Sequence, residues 1–160
     1  MNKNMIMALL TIIVAFATPQ KIIAQNIKIV TGHPDLKIEV LRCAASGSNV
    51  VLDLMVTNTG YEDVKDFKVH GSQYATKFYD NLGNIYEDGQ SIEVKIANKE
   101  YTVEYNLIKL VAGLPTRLSY IVHNVSPRAT SFALIEPDIW SPDWSINKET
   151  VKIRFVPITR

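Results

Sequence analysis

Apolar and polar residues alternate along much of the chain with a period of two. From Val50 to Thr57, Val50, Leu52, Leu54 and Val56 share one parity and Asp53 and Thr57 the other, the signature of a half-buried strand. Tyr101, Val103, Tyr105 and Leu107 alternate with Thr102, Glu104 and Asn106, and Val151, Ile153 and Phe155 alternate with Lys152 and Arg154. These are the clearest strands. Asn26 to Val30, Leu36 to Val40, Val94 to Ile96, Leu118 to Val122 and Phe132 to Leu134 repeat the pattern over shorter stretches.

Turn-forming residues stand between these runs: Ala45 to Asn49, Asn58-Thr59-Gly60, Asn81-Leu82-Gly83-Asn84, Ala97-Asn98-Lys99, Ala112 to Pro115 and Ser126-Pro127. Short strands punctuated in this way predict an all-β fold, an immunoglobulin-like antiparallel sandwich of about seven to nine strands. No segment after the N-terminal region holds a 3.6-residue apolar period over three turns, so almost no helix is expected, with at most one turn at Tyr61 to Phe67. Asp138 to Lys148, with two prolines and two tryptophans, has no period and reads as a loop crossing one end of the sandwich.

The N-terminus has a different pattern. Met1 to Asn4 carries one positive charge, and the run from Met5 to Ala17 is apolar except for Thr11, as in the n- and h-regions of an export signal. Such a run is shorter than the roughly 20 residues that span a bilayer. Cleavage is compatible with Ala17 or with Ala24 and Gln25; the later position starts the mature chain just before Asn26 to Val30. The expected organisation is a signal peptide at 1–24 and one domain at 25–160, which at about 135 residues is long enough to bury roughly two thirds of its unfolded surface. The single cysteine, Cys43, lies too far downstream for a lipid anchor and has no partner for an internal disulfide. The formal charge of +1 becomes about −1 once Lys3 and Lys21 are removed, and there is no basic run to favour nucleic acid or an anionic membrane.

Four segments in order, Val51 to Gly60, Phe78 to Tyr86, Gly113-Leu114-Pro115 leading into Leu118 to Val122, and Val151 to Ile158, together resemble the secreted bacterial immunoglobulin-like proteins grouped as domain of unknown function 4352. The resemblance covers roughly residues 36–158. It implies a two-sheet antiparallel sandwich behind a signal or lipoprotein peptide, with no catalytic residues. Asp88 to Glu100 departs from it as an insertion-like stretch that bears on the number of strands.

Candidate chemistry is sparse. Asp80 and Asn84, with Asp88 behind them, gather oxygen ligands that could hold calcium, although the spacing is not that of an EF-hand and the same residues suit a hairpin turn. His33, His70 and His123, with Met55 and Cys43, offer ligands to a soft metal but lie in different predicted elements. No serine sits in a Gly-x-Ser-x-Gly elbow, and Cys43 falls at a strand end where a thiol is usually buried and inert. Carboxylate pairs such as Glu62/Asp63 and Asp80/Asp88 have no separation readable from sequence. Trp140 and Trp144 flank Ser141-Pro142-Asp143 and read either as a platform for a glycan or an apolar side chain, helped by Tyr61 or Tyr74, or as rings folded inward to pin the loop. The expectation is an exported, periplasmic or extracellular, non-catalytic module with no cofactor. It would bind an envelope or extracellular protein, or alternatively a glycan or small ligand, without nucleic acid or a stable membrane anchor; a calcium module or a hydrolase follows behind.

Overall fold

The alternating run around Leu52 forms an inner strand of the first sheet in the computed structural model, whose described residues are 26–71, 75–87, 89–147 and 150–160. The segment read as a signal peptide, 1–24, lies outside them, as do Tyr74 and Asp88. In chain order the strands are β1 (Lys28–Val30), β2 (Leu36–Ser46), β3 (Asn49–Asn58), β4 (Val64–His70), β5 (Lys77–Asp80), β6 (Ile85–Tyr86), β7 (Ile92–Ile96), β8 (Tyr105–Leu110), β9 (Pro115–Val122), β10 (Ser131–Glu136), β11 (Ile139–Trp140) and β12 (Lys152–Pro157). They assemble into three antiparallel sheets, ordered β2-β3-β9-β7, β1-β12-β10-β5-β6 and β11-β4-β8. The fold is the all-β, immunoglobulin-like sandwich that the period-two pattern predicts, with twelve strands among the described residues in place of about seven to nine. The described residues contain no helix, and β1, β6 and β11 are short pieces of two or three residues.

The inward parities of the sheets meet in one core. Leu52, Leu54, Leu118 and Tyr120 come from the first sheet, Phe78, Phe132, Ile135 and Ile153 from the second, and Phe67, Val69, Leu110 and Ile139 from the third. Phe78 makes edge contacts with Tyr120 at 5.6 Å and with Phe132 at 4.9 Å between centroids, the geometry that ring quadrupoles favour. The last residues add a clasp: Thr159 accepts from the Ala45 N–H and donates its own N–H to Cys43, both at 2.9 Å, beside the edge strand β2. Asn58 is wholly buried and explains the Asn-Thr-Gly signal. Its Oδ1 accepts the Gly60 N–H, and its Nδ2 donates to the carbonyls of Glu62 and Leu110, which ties the β3–β4 connection to the end of β8.

Several local readings change. Where at most one turn of helix is expected, at Tyr61 to Phe67, the residues from Val64 onward instead begin β4. Val64 and Phe67 are both buried at a spacing of three because the register against β8 shifts between them, and a bulge of this kind imitates a helical period. The segment expected to be a loop, Asp138 to Lys148, contains β11 in its described part, 138–147. In β8 the parity of Tyr105 and Leu107 faces outward, while Asn106 and Leu110 face in. Asn106 is satisfied in that position by donating to the Val94 carbonyl at 2.9 Å. Val151, just before β12, and Ile153 within it are buried, but Phe155 takes a φ of 60° and turns out, and Val156 occupies the core in its place.

Candidate functional site

The sheet β11-β4-β8 carries an aromatic outer face. Ile139, Val69 and Asn106 are aligned across the three strands and point inward, so the next row, Trp140, Lys68 and Leu107, points out. Tyr105 lies diagonal to Lys68, opposite His70. Trp140 is 37% exposed, Leu107 40% and Tyr105 45%. Lys68 Nζ lies 4.6 Å from the Trp140 ring centroid and 5.4 Å from that of Tyr105, so one ammonium sits between two π faces. Behind it, His70 Nδ1 is 2.8 Å from Asp138 Oδ2, and the His70 ring stands edge-on to Tyr105 at 5.6 Å. Thr76 closes this support by donating to the His70 carbonyl at 2.6 Å and accepting the Asp138 N–H at 2.9 Å.

The two tryptophans have separate surroundings. Trp144 is partly buried, stacks on His33 at 4.8 Å with 12° between planes, and meets the edge of Phe67 at 6.5 Å. Its loop is closed by Ser141–Ile146 backbone pairing and is held to β4 by the Lys65 N–H, which donates to Asp143 Oδ2. Trp140 is thus the indole presented to solvent on a strand, and Trp144 the one that pins the loop. Tyr61 is fully exposed.

Asp80 and Asn84 come together as acceptor and donor. Asp80 Oδ1 accepts the N–H groups of Leu82 and Asn84, and Oδ2 accepts Asn84 Nδ2 and the Tyr86 hydroxyl, all at 2.8–2.9 Å. Gly83 supplies the positive φ, 88°, that this tight hairpin requires. Both carboxylate oxygens are therefore already engaged, and a cation would have to displace those donors. Among the described residues no three His, Cys, Asp or Glu side chains group to hold a metal. The three histidines have different roles: His33 stacks on Trp144, His70 pairs with Asp138, and His123 bridges Glu93 and Asn49. Cys43 is buried, and desolvation, reinforced by the Asp53 charge, pushes its thiol up to about 12, far from the thiolate that nucleophilic chemistry needs.

A second polar assembly was not signalled by any motif. Lys95, Ser119, Asp53 and Arg42 lie in one row across β7, β9, β3 and β2. Asp53 is 2% exposed although it points away from the core. Its Oδ2 accepts from Arg42 Nε at 2.9 Å and Arg117 Nη2 at 2.7 Å, with Arg42 Nη2 2.8 Å away as an ion-pair contact, and its Oδ1 accepts from Ser119 Oγ at 2.6 Å. Burial pushes the Asp53 carboxyl up, but the bonds from Arg117 and Ser119 and the charges of Arg117 and Arg42 outweigh it and hold it below the usual range. The register of β2 shifts between Val40 and Arg42, and that bulge sets the guanidinium onto this face. Without the register, sequence can report only scattered charges. Compared with known proteins, the chain matches no family model and no curated sequence.

Proposed function

We propose that this protein is a non-catalytic, exported interaction module whose contact surface is the outer face of β11-β4-β8 and whose partner is another envelope or extracellular protein. The observation that carries the reading is the presentation of Trp140, Tyr105 and Leu107 around Lys68 on paired strands. Tryptophan and tyrosine supply contact area at low entropic cost and dominate binding energy at protein interfaces. Here the rings are held by strand register and by the His70–Asp138 pair, so little ordering remains for binding to impose. The apolar N-terminal run from Met5 to Ala17 supports export, and the resemblance to secreted immunoglobulin-like proteins supports a non-catalytic role.

A photocrosslinking residue placed at Leu107, on the face, and at Lys37, on the edge strand β2, tests the reading in the native host. The expected result is a reproducible protein adduct from position 107 that is lost with Trp140→Ala and absent from position 37. Adducts of equal yield from both positions, or none from 107, would overturn it. Trp140-dependent retention on a glycan surface without any protein adduct would replace the protein partner with a sugar.

A further inference from the structure

We propose that the outer face of β2-β3-β9-β7 holds a binding site for a small oxyanion, with Arg42, Arg117 and Lys95 as its recognising cations. Three positive side chains, Arg42, Arg117 and Lys95, and a single carboxylate, that of Asp53, line a cavity of about 360 Å³, within the usual size range of small-ligand sites. Asp53 is saturated by its four contacts and is buried. It fixes the two guanidinium groups without neutralising the whole set.

Each arginine uses only one side of its fork on Asp53. Arg42 engages Nε and Nη2, and Arg117 engages Nη2, while both side chains remain 55% exposed. The remaining N–H groups are the donors that pair bidentately with carboxylate, sulfate or phosphate oxygens. Lys95 makes no ion pair among the described residues; its Nζ lies 4.4 Å from the Tyr101 ring centroid. Tyr101 and the turn at Ala97 and Asn98 complete the wall. That turn is fixed by the Ala97 N–H, which donates to the Arg117 carbonyl at 2.7 Å. The nearest acids along the same strands have partners of their own. Glu39 is held by Lys37 at 3.0 Å and Glu93 by His123 at 2.9 Å.

The ligand class follows from these donors: one oxyanionic group, planar or tetrahedral, met by two guanidinium forks and an ammonium that an aromatic ring keeps in place. The site lies on a different sheet from the aromatic face, and the inference does not depend on the proposed function.

Amide chemical shifts of the labelled protein, followed while sodium sulfate, sodium phosphate or sodium glucuronate is added at ionic strength matched with sodium chloride, test the proposal. The expected result is saturable movement of the Arg42, Asp53, Lys95, Tyr101 and Ser119 signals. Lys95→Gln, which leaves the Asp53 contacts intact, is expected to weaken the binding at least five-fold, and Lys68→Gln to leave it unchanged. Arg117→Lys keeps a positive charge near Asp53 and loses the fork, so it weakens binding while the spectrum stays folded. Saturation by sulfate and phosphate alone identifies a tetrahedral group, and by glucuronate alone a carboxylate. Absence of saturable shifts with all three anions, or equal affinity in Lys95→Gln, overturns the site.

Discussion

The Tyr86 hydroxyl donates to Asp80 Oδ2 across 2.9 Å and accepts the Ser126 N–H at 3.2 Å, so one phenol joins the β5–β6 hairpin to the segment that leads into β10. Burial by itself raises the Asp80 carboxyl, but the donors from Asn84, Leu82 and Tyr86 outweigh it and hold the group below its ordinary value of 3.8. The unfolded chain therefore takes up this proton first as pH falls. The stabilisation is complete above the ordinary value and is lost as pH drops through the lowered one.

Asp80→Asn should accordingly destabilise the fold at pH 7 by about 1–3 kcal/mol, the cost of a disrupted buried hydrogen-bond set. At pH 2.5 the difference from the parent should shrink. Urea melts at both pH values measure it. Asp53 is unchanged in both proteins, so its own titration cancels, and an equal difference at the two pH values would remove Asp80 as the source.

The two indoles should separate by solvent access. Trp144→Phe leaves Trp140 as the sole indole, excited selectively at the red edge of absorption where tyrosine is silent, and Trp140→Phe leaves Trp144, because the chain has two tryptophans. Acrylamide, which is uncharged and so indifferent to Lys68, is expected to quench Trp140 strongly and Trp144 weakly. Trp144→Ala should cost about 2–4 kcal/mol through lost packing, whereas Trp140→Ala should cost about 0.5–1 kcal/mol through the lost cation–π contact. Equal quenching would mean that the loop does not hold Trp144 against His33 and Phe67.

The core of the sandwich is legible in the sequence where one parity is apolar without interruption, as at Leu52 and Leu54 or Leu118 and Tyr120. It becomes ambiguous where two apolar residues are adjacent. Leu107 and Ile108 let β8 be read in either parity, and the choice falls to Leu110 and to the bond that buries Asn106. Bulges hide the rest: the shift between Val64 and Phe67 disguises β4, and the positive φ of Phe155 reverses the end of β12. Both candidate surfaces depend on register. Trp140 beside Lys68, and Arg117 beside Asp53, are pairings between distant parts of the chain that no local pattern encodes, and Arg42 reaches Asp53 across its hairpin only through the bulge in β2.

Cys43 should resist thiol reagents in the native state. Its thiol is buried and pushed up to about 12, chiefly by desolvation and further by Asp53, so at pH 8 labelling with an aromatic disulfide should wait for global opening and slow as urea is withdrawn. The unfolded thiol ionises near 9.0. Above that pH the native state retains a proton that the unfolded state has released, and stability falls as pH rises. Cys43→Ala should flatten part of that alkaline decline. Rapid labelling of the folded protein at pH 8 would contradict the burial.

Gly71 is where an added methyl group would meet only main chain. A Cβ built there would lie 2.8 Å from the Ile92 carbonyl oxygen, the Val103 Cα and the Val103 carbonyl oxygen. All three are main-chain atoms, at the start of β7 and in the segment that leads into β8, so no side chain can rotate away to make room. The Gly71 N–H also donates to the Glu104 carbonyl at 2.8 Å, which fixes the approach that Gly71→Ala would oppose. Overpacking of this kind costs about 1–3 kcal/mol, with the upper end expected where only backbone can yield. Gly47→Ala is the comparison: nothing lies within 4 Å of its Cβ, but its φ is 63°, so its cost is left-handed strain alone, about 1 kcal/mol. Paired urea melts decide between the two effects. If Gly71→Ala costs no more than Gly47→Ala, the close approach of main chains beside His70 is wrong, and with it the rigid support inferred for Tyr105 on the aromatic face.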